Sequence, residues 1–300
     1  MSVAARPTPA QLPLPGGNEG ATVRVHPLRT ANMLAPPAFF ARPDGPLSFV
    51  RGLGLHVPRG RWHTLPIPAF LVEHPGVGPF LVDTGMHARV ATDGPGVLGR
   101  RAKLIYQIEM DPDWAVAAQV RTRGFDPDTV PLVVMTHLHY DHTGGIAQFP
   151  GPTYIVDRGE WESAARHGFT RGYIHDLFDH PFDWRSVDFD GPDAAPAGPF
   201  RRTLDLFGDG SVRLLSTPGH TDGHVSVLLR LQQGELLLAG DAAYAQRTLD
   251  EGWIPLFCPD VATYRGSLAE LQRYAQENQA ATVICGHDPW SWPEVASVCF

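Results

Sequence analysis

Four side chains that can bind a metal lie within six consecutive positions near the middle of the chain. They are His137, His139, Asp141 and His142. Imidazole nitrogens and carboxylate oxygens are ligands that a borderline metal such as zinc accepts. Along an extended loop alternate residues point the same way, so the first two histidines can share one metal. The aspartate and the third histidine then face the other side and can hold a second metal.

Three further candidate ligands follow later in the chain. They are His220, Asp241 and His287. Each comes at the end of a short apolar run, which predicts a loop at a strand end, on the same side of the fold as the first four ligands. The presence of these later ligands favours a metal site over a chance cluster of histidines in one loop.

The elements that would position these residues are predicted from periodicity. The apolar run 131–136 indicates a short buried strand, and Gly144 and Gly145 indicate a tight turn behind the motif. Asp111 followed by Pro112 indicates the start of a helix that ends near Gly124. Further strands are predicted at 22–26, 65–73, 80–83, 153–156, 212–216, 225–230, 235–239 and 282–285, and further helices after Asp157 and Asp260. Strands that alternate with helices predict an α/β layered fold.

Three stretches lack a regular pattern, namely residues 30–63, 86–110 and 169–200. A long loop inside a compact domain is usually functional or disordered. Aromatic side chains in the first and third stretches could form the walls of an apolar pocket, and in the first they could equally fill the core. The side chains of four residues in the second stretch, Leu104, Ile105, Tyr106 and Ile108, could line a substrate entrance.

The composition of the whole chain bounds its class. With 300 residues, 43% of them hydrophobic, the chain can bury a full core. Residues 1–20 are rich in Pro, Gly and Ala without periodicity, which predicts a mobile tail followed by a single domain at 21–300. The net charge of -8 argues against a nucleic-acid partner held by a basic surface.

Location and cysteine use are also constrained. No apolar run reaches the roughly 18 residues that a membrane span needs, and the first residues lack the apolar segment of a secretory signal. We therefore expect a cytoplasmic protein with no membrane partner. The three cysteines show no CxxC spacing and no disulfide framework.

The His-x-His-x-Asp-His motif, with a later His, Asp and His, resembles the dinuclear hydrolase pattern of the metallo-β-lactamase superfamily. The resemblance covers about residues 64–289. It implies an α/β fold of the four-layer αββα sandwich type and two divalent metal ions. Zinc is the default, while iron, manganese or cobalt could occupy the same ligands. The β-lactamases themselves usually have a cysteine at the position of Asp241, which argues against antibiotic hydrolysis.

The resemblance also implies a role for each of the seven candidate ligands. The implied assignment is His137, His139 and His220 for one metal, Asp141, His142 and His287 for the other, and Asp241 as the bridge. Two such metals can lower the pKa of water from 15.7 to about 7 and polarise a carbonyl or phosphoryl oxygen. The expected reaction is hydrolysis by a metal-bridging hydroxide, with Asp141 as the catalytic group that accepts and returns a proton.

Tyr244, three residues after Asp241, resembles the tyrosine of the N-acyl homoserine lactonases. The similarity extends to the runs 81–86, 217–220 and 286–288. In that family the tyrosine hydroxyl donates a hydrogen bond to the substrate carbonyl or its developing oxyanion, a task to which a phenol is suited. The resemblance therefore implies opening of an acyl homoserine lactone ring, with a homodimer expected. The alternative for Tyr244 is that it packs as a half-buried aromatic residue.

Other functions stay open on the sequence alone. A phosphotriesterase of the same superfamily would use the same metals on a different ester. A thioesterase resembling glyoxalase II normally adds a helical domain after the last ligand, whereas only 13 residues follow His287. A non-enzyme that uses the metals to brace a small-molecule binding fold is a third reading. Asp83 is expected either to contact a ligand histidine or to cap a turn, and His224 either to contact a metal ligand or to have a structural role.

Overall fold

The computed structural model describes residues 3–45 and 47–300. Two β-sheets pack face to face, and helices cover both outer faces, so the predicted four-layer αββα sandwich is confirmed. The first two residues of the predicted tail and one residue of the predicted loop 30–63 lie outside the described residues.

The first sheet has eight strands, which come from the N-terminal part of the chain. They are β1 (Thr8–Pro9), β2 (Arg24–Ala35), β3 (His63–His74), β4 (Gly78–Val82), β5 (Gln107–Glu109), β6 (Leu132–Val134), β7 (Thr153–Asp157) and β8 (Asp183–Val187). Their order across the sheet is β1-β8-β7-β6-β4-β3-β2-β5. Strands β4, β6, β7 and β8 run parallel to one another, whereas β2, β3 and β4 pair antiparallel.

The second sheet has six strands. They are β9 (Ala195–Ala197), β10 (Phe200–Asp205), β11 (Val212–Ser216), β12 (Val225–Leu231), β13 (Gly234–Gly240) and β14 (Thr282–Cys285), in the order β14-β13-β12-β11-β10-β9. Only the β13–β14 pair is parallel. The strands predicted within 212–239 and at 282–285 are confirmed.

The helices are short, with one exception. They are α1 (Ser48–Gly52), α2 (Val90–Asp93), α3 (Arg100–Ile105), α4 (Val116–Thr122), α5 (Tyr140–Thr143), α6 (Arg158–Arg166), α7 (His175–Phe178), α8 (Gln246–Glu251), α9 (Val261–Glu277) and α10 (Trp292–Val295). The helix predicted from Asp111 begins later, because Asp111 caps a single 3-10 turn at Pro112–Trp114 before α4 starts. Among the described residues, no helix combines the length and apolar character required to cross a bilayer.

Alternation along the strands divides the core into layers. Leu71, Leu81 and Val133 are cross-strand neighbours that pack under α4 and α6. The residue after each of them faces the opposite side and packs against the second sheet. This is the period of two that a strand buried on both faces requires. The outer face of the second sheet packs on α9 through residues such as Leu268.

The prediction of irregular structure from residue 30 is wrong over residues 30–35. These residues continue β2, a strand of twelve residues that pairs with β3 along its length and with β5 near its end. The expected edge strand at 22–26 is therefore the start of a longer strand. Non-local pairing of this kind overrides the weak local pattern, because strand propensity depends on neighbours.

The segment predicted to be a mobile tail has fixed contacts in its described part. The side chain of Val3 is buried, and the backbone N–H groups of Ala4 and Ala5 donate to the Asp179 carboxylate at 2.9 and 2.8 Å. Strand β1 pairs with β8, and Leu14 donates its N–H to a backbone carbonyl of the second sheet region. These contacts attach the described part of the segment to the domain. The mobility of this segment in solution and a domain boundary at residue 20 stay predictions.

Candidate metal centre

The seven candidate ligands follow the ends of four strands, and two of them, Asp141 and His142, lie in the short helix α5. His137, His139, Asp141 and His142 follow β6, whereas His220 follows β11, Asp241 follows β13 and His287 follows β14. Strands β11 and β13 both run antiparallel to β12, and β14 runs parallel to β13. Their carboxyl ends therefore meet at one edge of the second sheet. Gly240 has a positive φ of 54°, which lets β13 turn sharply into Asp241.

The structure brings all seven residues together. Three overlapping groups of three have their ligand atoms within 4.8 Å of one another. They are His137, His139 and His220; His137, His142 and Asp241; and Asp141, His142 and His287. The first and third groups are the two ligand sets that the resemblance implied. All seven side chains except that of His139 are buried, and His139 is partly buried.

Asp241 lies between the two outer groups. Its Oδ2 is 3.2 Å from Nε2 of His220, and its Oδ1 is 3.2 Å from Nε2 of His287. The same Oδ1 is 3.5 Å from Nε2 of His142. One carboxylate thus faces both groups with different oxygens, which is the position that a bridging ligand requires.

Several ligand histidines are oriented through their second ring nitrogen. Nδ1 of His287 is 2.8 Å from the carbonyl of Pro66, and Nδ1 of His220 is 3.1 Å from the carbonyl of Phe257. Carbonyl oxygens only accept, so each Nδ1 carries the proton and leaves Nε2 free for a cation. Nδ1 of His142 contacts the Asp83 carboxylate at 2.7 Å in the same way.

Asp83 connects two of the ligand-bearing elements. Its carboxylate also accepts hydrogen bonds from the backbone N–H of Thr136 at 2.8 Å and from the Thr136 hydroxyl at 2.7 Å. Its φ of 59° is a left-handed conformation that is uncommon outside glycine. Of the two roles expected for Asp83, contact with a ligand histidine is the one the geometry supports.

His224 holds the backbone of Asp241. Its Nε2 accepts a hydrogen bond from the Asp241 N–H at 2.9 Å, and its Nδ1 lies 2.9 Å from the Thr217 hydroxyl. The structural role expected for His224 is confirmed by these contacts, because they fix the loop rather than face the ligand groups.

Glu160 is a buried residue that sequence reasoning identified only as part of a helix cap. Its Oε1 accepts hydrogen bonds from the Leu138 N–H at 2.8 Å and the Tyr173 hydroxyl at 3.2 Å, and its Oε2 accepts from the Gly223 N–H at 3.3 Å. It therefore joins the loop after β6 to the loop after β11. Burial raises the pKa of Glu160 to about 7. Its place three residues after Asp157, in the cap of the helix predicted there, was the only sequence signal for it.

Burial sets the charge of most of the histidines. It lowers the pKa of His137, His139 and His220, in the case of His139 to about 3. These imidazoles are therefore neutral at pH 7, which is the form that binds a metal. Burial also lowers the pKa of His142, but the carboxylates of Asp83 and Asp241 outweigh it and raise that pKa well above its ordinary value.

Three buried polar atoms at the centre have no hydrogen-bond partner in the part of the chain that the structure describes. They are Nε2 of His137, Nε2 of His142 and Oδ1 of Asp241. A buried polar atom without a partner costs roughly 1–3 kcal/mol, so such atoms are rare unless something else satisfies them. Imidazole nitrogens and carboxylate oxygens that converge in this way fit two divalent metal ions.

A cavity of about 300 Å³ opens beside this centre. Phe39, Tyr106 and Phe169 contribute aromatic wall, one from each of the three stretches that lacked a regular pattern. Of the four residues predicted to line an entrance, Tyr106 lines the cavity, whereas Leu104, Ile105 and Ile108 do not. Arg42 and Arg171 also line the cavity, and no sequence signal had identified them.

Tyr244 lies where the cavity meets the ligand groups. Its ring is buried rather than half-buried, with centroids 5.2 Å from Phe39 and 5.3 Å from His287. Within residues 3–45 and 47–300 its hydroxyl has one hydrogen-bond contact, with Nδ1 of His220 at 3.5 Å, which is too long for a strong hydrogen bond. Burial raises the pKa of Tyr244 well above its ordinary value, so the hydroxyl keeps its proton and can donate it to a ligand.

Comparison with known proteins agrees with this geometry. The family model of the metallo-beta-lactamase superfamily matches residues 62–287. The N-acyl homoserine lactonase AttM of Rhizobium radiobacter is 36% identical over 247 residues, covering 81% of this chain and 89% of the relative. The N-acyl homoserine lactonase AiiA of Bacillus thuringiensis subsp. kurstaki is 26% identical over 232 residues, covering 76% and 84%.

Solved structures share the fold. An N-acyl homoserine lactone hydrolase with the product N-hexanoyl-L-homoserine at its catalytic metal centre superposes with a TM-score of 0.72 at 22% identity, covering 91% of this chain and 96% of that one. AidC, a dizinc quorum-quenching lactonase, superposes with a TM-score of 0.61 at 14% identity, covering 91% and 92%.

Proposed function

The chain belongs to the metallo-beta-lactamase superfamily and is a metal-dependent hydrolase, and from that premise we propose that it opens the lactone ring of N-acyl homoserine lactones. The observation that carries the proposal is the position of Tyr244, whose hydroxyl reaches the cavity beside the ligand groups without a good partner of its own. The similarity to curated lactonases over 81% of the chain supports the same substrate class.

We assign the ligands as two sets joined by one carboxylate. The assignment is His137, His139 and His220 for one divalent cation, Asp141, His142 and His287 for the other, and Asp241 for both. Zinc is the metal proposed, since imidazole and carboxylate suit it, although they also suit iron, manganese and cobalt. When bound, such a pair supplies hydroxide from water at neutral pH and polarises an ester carbonyl.

Tyr244 acts on the oxygen that gains charge. When hydroxide adds to the lactone carbonyl carbon, that carbonyl oxygen becomes an oxyanion, and a phenol hydroxyl aimed at it stabilises the charge. The hydroxyl makes no strong hydrogen bond that must first be broken. The hydrogen bond from this hydroxyl is therefore stronger in the transition state than in the ground state. A difference of this kind raises kcat rather than substrate affinity.

Asp141 is proposed to move the proton. Its side chain lines the cavity, and one of its oxygens lies 3.7 Å from Nε2 of His287. A carboxylate there can accept the proton of the attacking water and return it to the ring oxygen when the carbon–oxygen bond of the lactone breaks. The product is the ring-opened hydroxy acid, so one water is consumed and no other reagent is needed.

The cavity walls suit the remainder of the substrate. Phe39, Leu256 and Phe257 provide apolar surface beside Tyr244, where an acyl chain can lie once the lactone faces the ligand groups. Arg171 gives the same cavity a hydrogen-bond donor for an amide oxygen. A homodimer and a cytoplasmic location stay predictions.

A substrate panel tests the proposal. Metal-loaded protein is assayed with an N-acyl homoserine lactone, a glutathione thioester and the phosphotriester paraoxon, and ring opening is followed by chromatography of the hydroxy acid. We expect the lactone to have the highest kcat/KM. Preference for the thioester or for paraoxon would assign the alternative hydrolase functions, and binding of the lactone without turnover would assign a binding protein.

A further inference from the structure

Exposed apolar side chains are concentrated in two segments that each contribute a residue to the cavity lining. Six of the nine large hydrophobic side chains exposed among the described residues lie in two segments, 47–63 and 94–106, which we call the rim. The six are Leu47, Val50, Leu53, Leu55, Leu104 and Ile105, of which Leu55 and Leu104 are 86% and 87% exposed. Single exposed leucines are normal on a protein surface, but a concentration of them indicates a binding surface.

The first sheet brings the two segments of the rim to one place. Leu34 of β2 pairs with Thr64 of β3 on one side and with Gln107 of β5 on the other. Strands β3 and β5 both run antiparallel to β2, so the segments that precede them leave the sheet at the same end, roughly 10 Å apart. Ser48 from one segment and Tyr106 from the other line the cavity.

The rim is also strongly basic. Segments 47–63 and 94–106 contain six cations and no acidic residue. The cations are Arg51, Arg59, Arg61, Arg100, Arg101 and Lys103. The rest of the chain has 18 Lys and Arg residues (24 minus 6) against 32 Asp and Glu residues. All six rim cations are exposed, and none forms an ion pair with a residue in 3–45 or 47–300.

We propose that the rim docks this protein on the surface of an anionic lipid bilayer, with the cavity facing the membrane. Cations mixed with exposed leucines, and free of acidic residues, form a surface that adsorbs to anionic lipid headgroups and inserts apolar side chains between them. A second copy meeting this face symmetrically would place six cations against six, which opposes a dimer here. The expectation of no membrane partner rested on the lack of a spanning segment, which surface docking does not need, and the proposal departs from that expectation.

Docking would matter for the substrate. Each methylene of an acyl chain favours transfer into the bilayer, so long-chain lactones accumulate there. This consequence rests on the proposed lactonase function, under which a membrane-facing cavity would receive long-chain substrates directly. Vesicle binding itself does not depend on that function.

Vesicle cosedimentation tests the proposal. Metal-loaded protein is mixed with vesicles of phosphatidylcholine alone or of equal parts phosphatidylcholine and phosphatidylglycerol. We expect about ten-fold tighter binding to the anionic vesicles, weakening as salt is added. The variants Leu55→Ser/Leu104→Ser and Arg100→Glu/Lys103→Glu should each lose most of this binding. The control Arg121→Glu/Arg273→Glu has the same charge change on exposed sites away from the rim and should retain it.

Three results would overturn the docking proposal. The first is equal binding to both kinds of vesicle, and the second is equal loss of binding in the rim and control variants. The third is a parent protein that is a dimer and does not bind vesicles, together with rim variants that are monomers. Turnover of a short-chain lactone without vesicles separates this proposal from the lactonase function. The rim variants should keep that turnover, because none of the four changed side chains lines the cavity.

Discussion

Removal of a single hydroxyl group tests the proposed chemistry most directly. Tyr244→Phe keeps the buried ring and its contacts with Phe39 and His287 but removes the donor proposed for the oxyanion. Loss of one oxyanion donor typically lowers kcat about 100-fold, equivalent to about 2.7 kcal/mol of transition-state stabilisation. The ground state should change little, because among the described residues the hydroxyl has one hydrogen-bond contact, at 3.5 Å.

The assay is kcat and KM for one lactone, measured with metal content and thermal stability on the same samples. KM and metal content should stay near those of the parent protein, and stability should change by less than about 0.5 kcal/mol. Tyr264→Phe is a matched control, since Tyr264 is also a fully buried tyrosine whose hydroxyl lacks a partner but does not line the cavity. Its kcat should be unchanged.

The reasoning about Tyr244 is refuted if Tyr244→Phe retains more than about a third of the parent kcat, well short of the loss expected for an oxyanion donor. A fall in kcat that matches a fall in bound metal would also refute it, since the residue would then support the ligands. Equal losses in Tyr244→Phe and Tyr264→Phe would point to packing rather than to catalysis.

Three further predictions concern the site and its support. Asp241→Asn should abolish turnover and lower the number of metals bound per chain, measured by elemental analysis, because one neutral amide cannot serve both ligand groups as the carboxylate does; normal stoichiometry would contradict this. Burial raises the pKa of Glu160 from 4.5 to about 7, so the folded state holds a proton that the unfolded state loses between these values. This contribution to stability is complete below about pH 4.5 and is lost as pH rises through 7, amounting to about 3 kcal/mol, so denaturant titrations of Glu160→Gln should show a flatter pH dependence than the parent. Asp179→Ala should lower the free energy of unfolding by about 1 kcal/mol, because the N–H groups of Ala4 and Ala5 lose their acceptor, and an unchanged denaturant midpoint would show that the N-terminal segment adds nothing to stability.

The sequence by itself determined the fold class and the candidate ligands. Four ligand types within six positions after an apolar run require no tertiary information, and the strand-end positions of His220, Asp241 and His287 could be read from short apolar runs. Most strands of both sheets were predicted for the same reason, since alternation and apolar runs are local signals. Tyr244 was identified through its spacing from Asp241.

The tertiary structure alone decided how these parts meet. Local sequence does not reveal that Asp241 faces both ligand groups, that Glu160 joins two ligand loops, or that Asp83 reaches His142, because each contact spans dozens of residues. The end of β2 was missed, and the contacts of the N-terminal segment were not predicted, for a related reason: their hydrogen bonds go to distant strands. The rim likewise exists only because β3 and β5 flank β2 and bring two separate basic, apolar segments to one end of a sheet. Composition and periodicity describe a residue's own surroundings in the chain, whereas pairing and burial depend on partners that folding supplies.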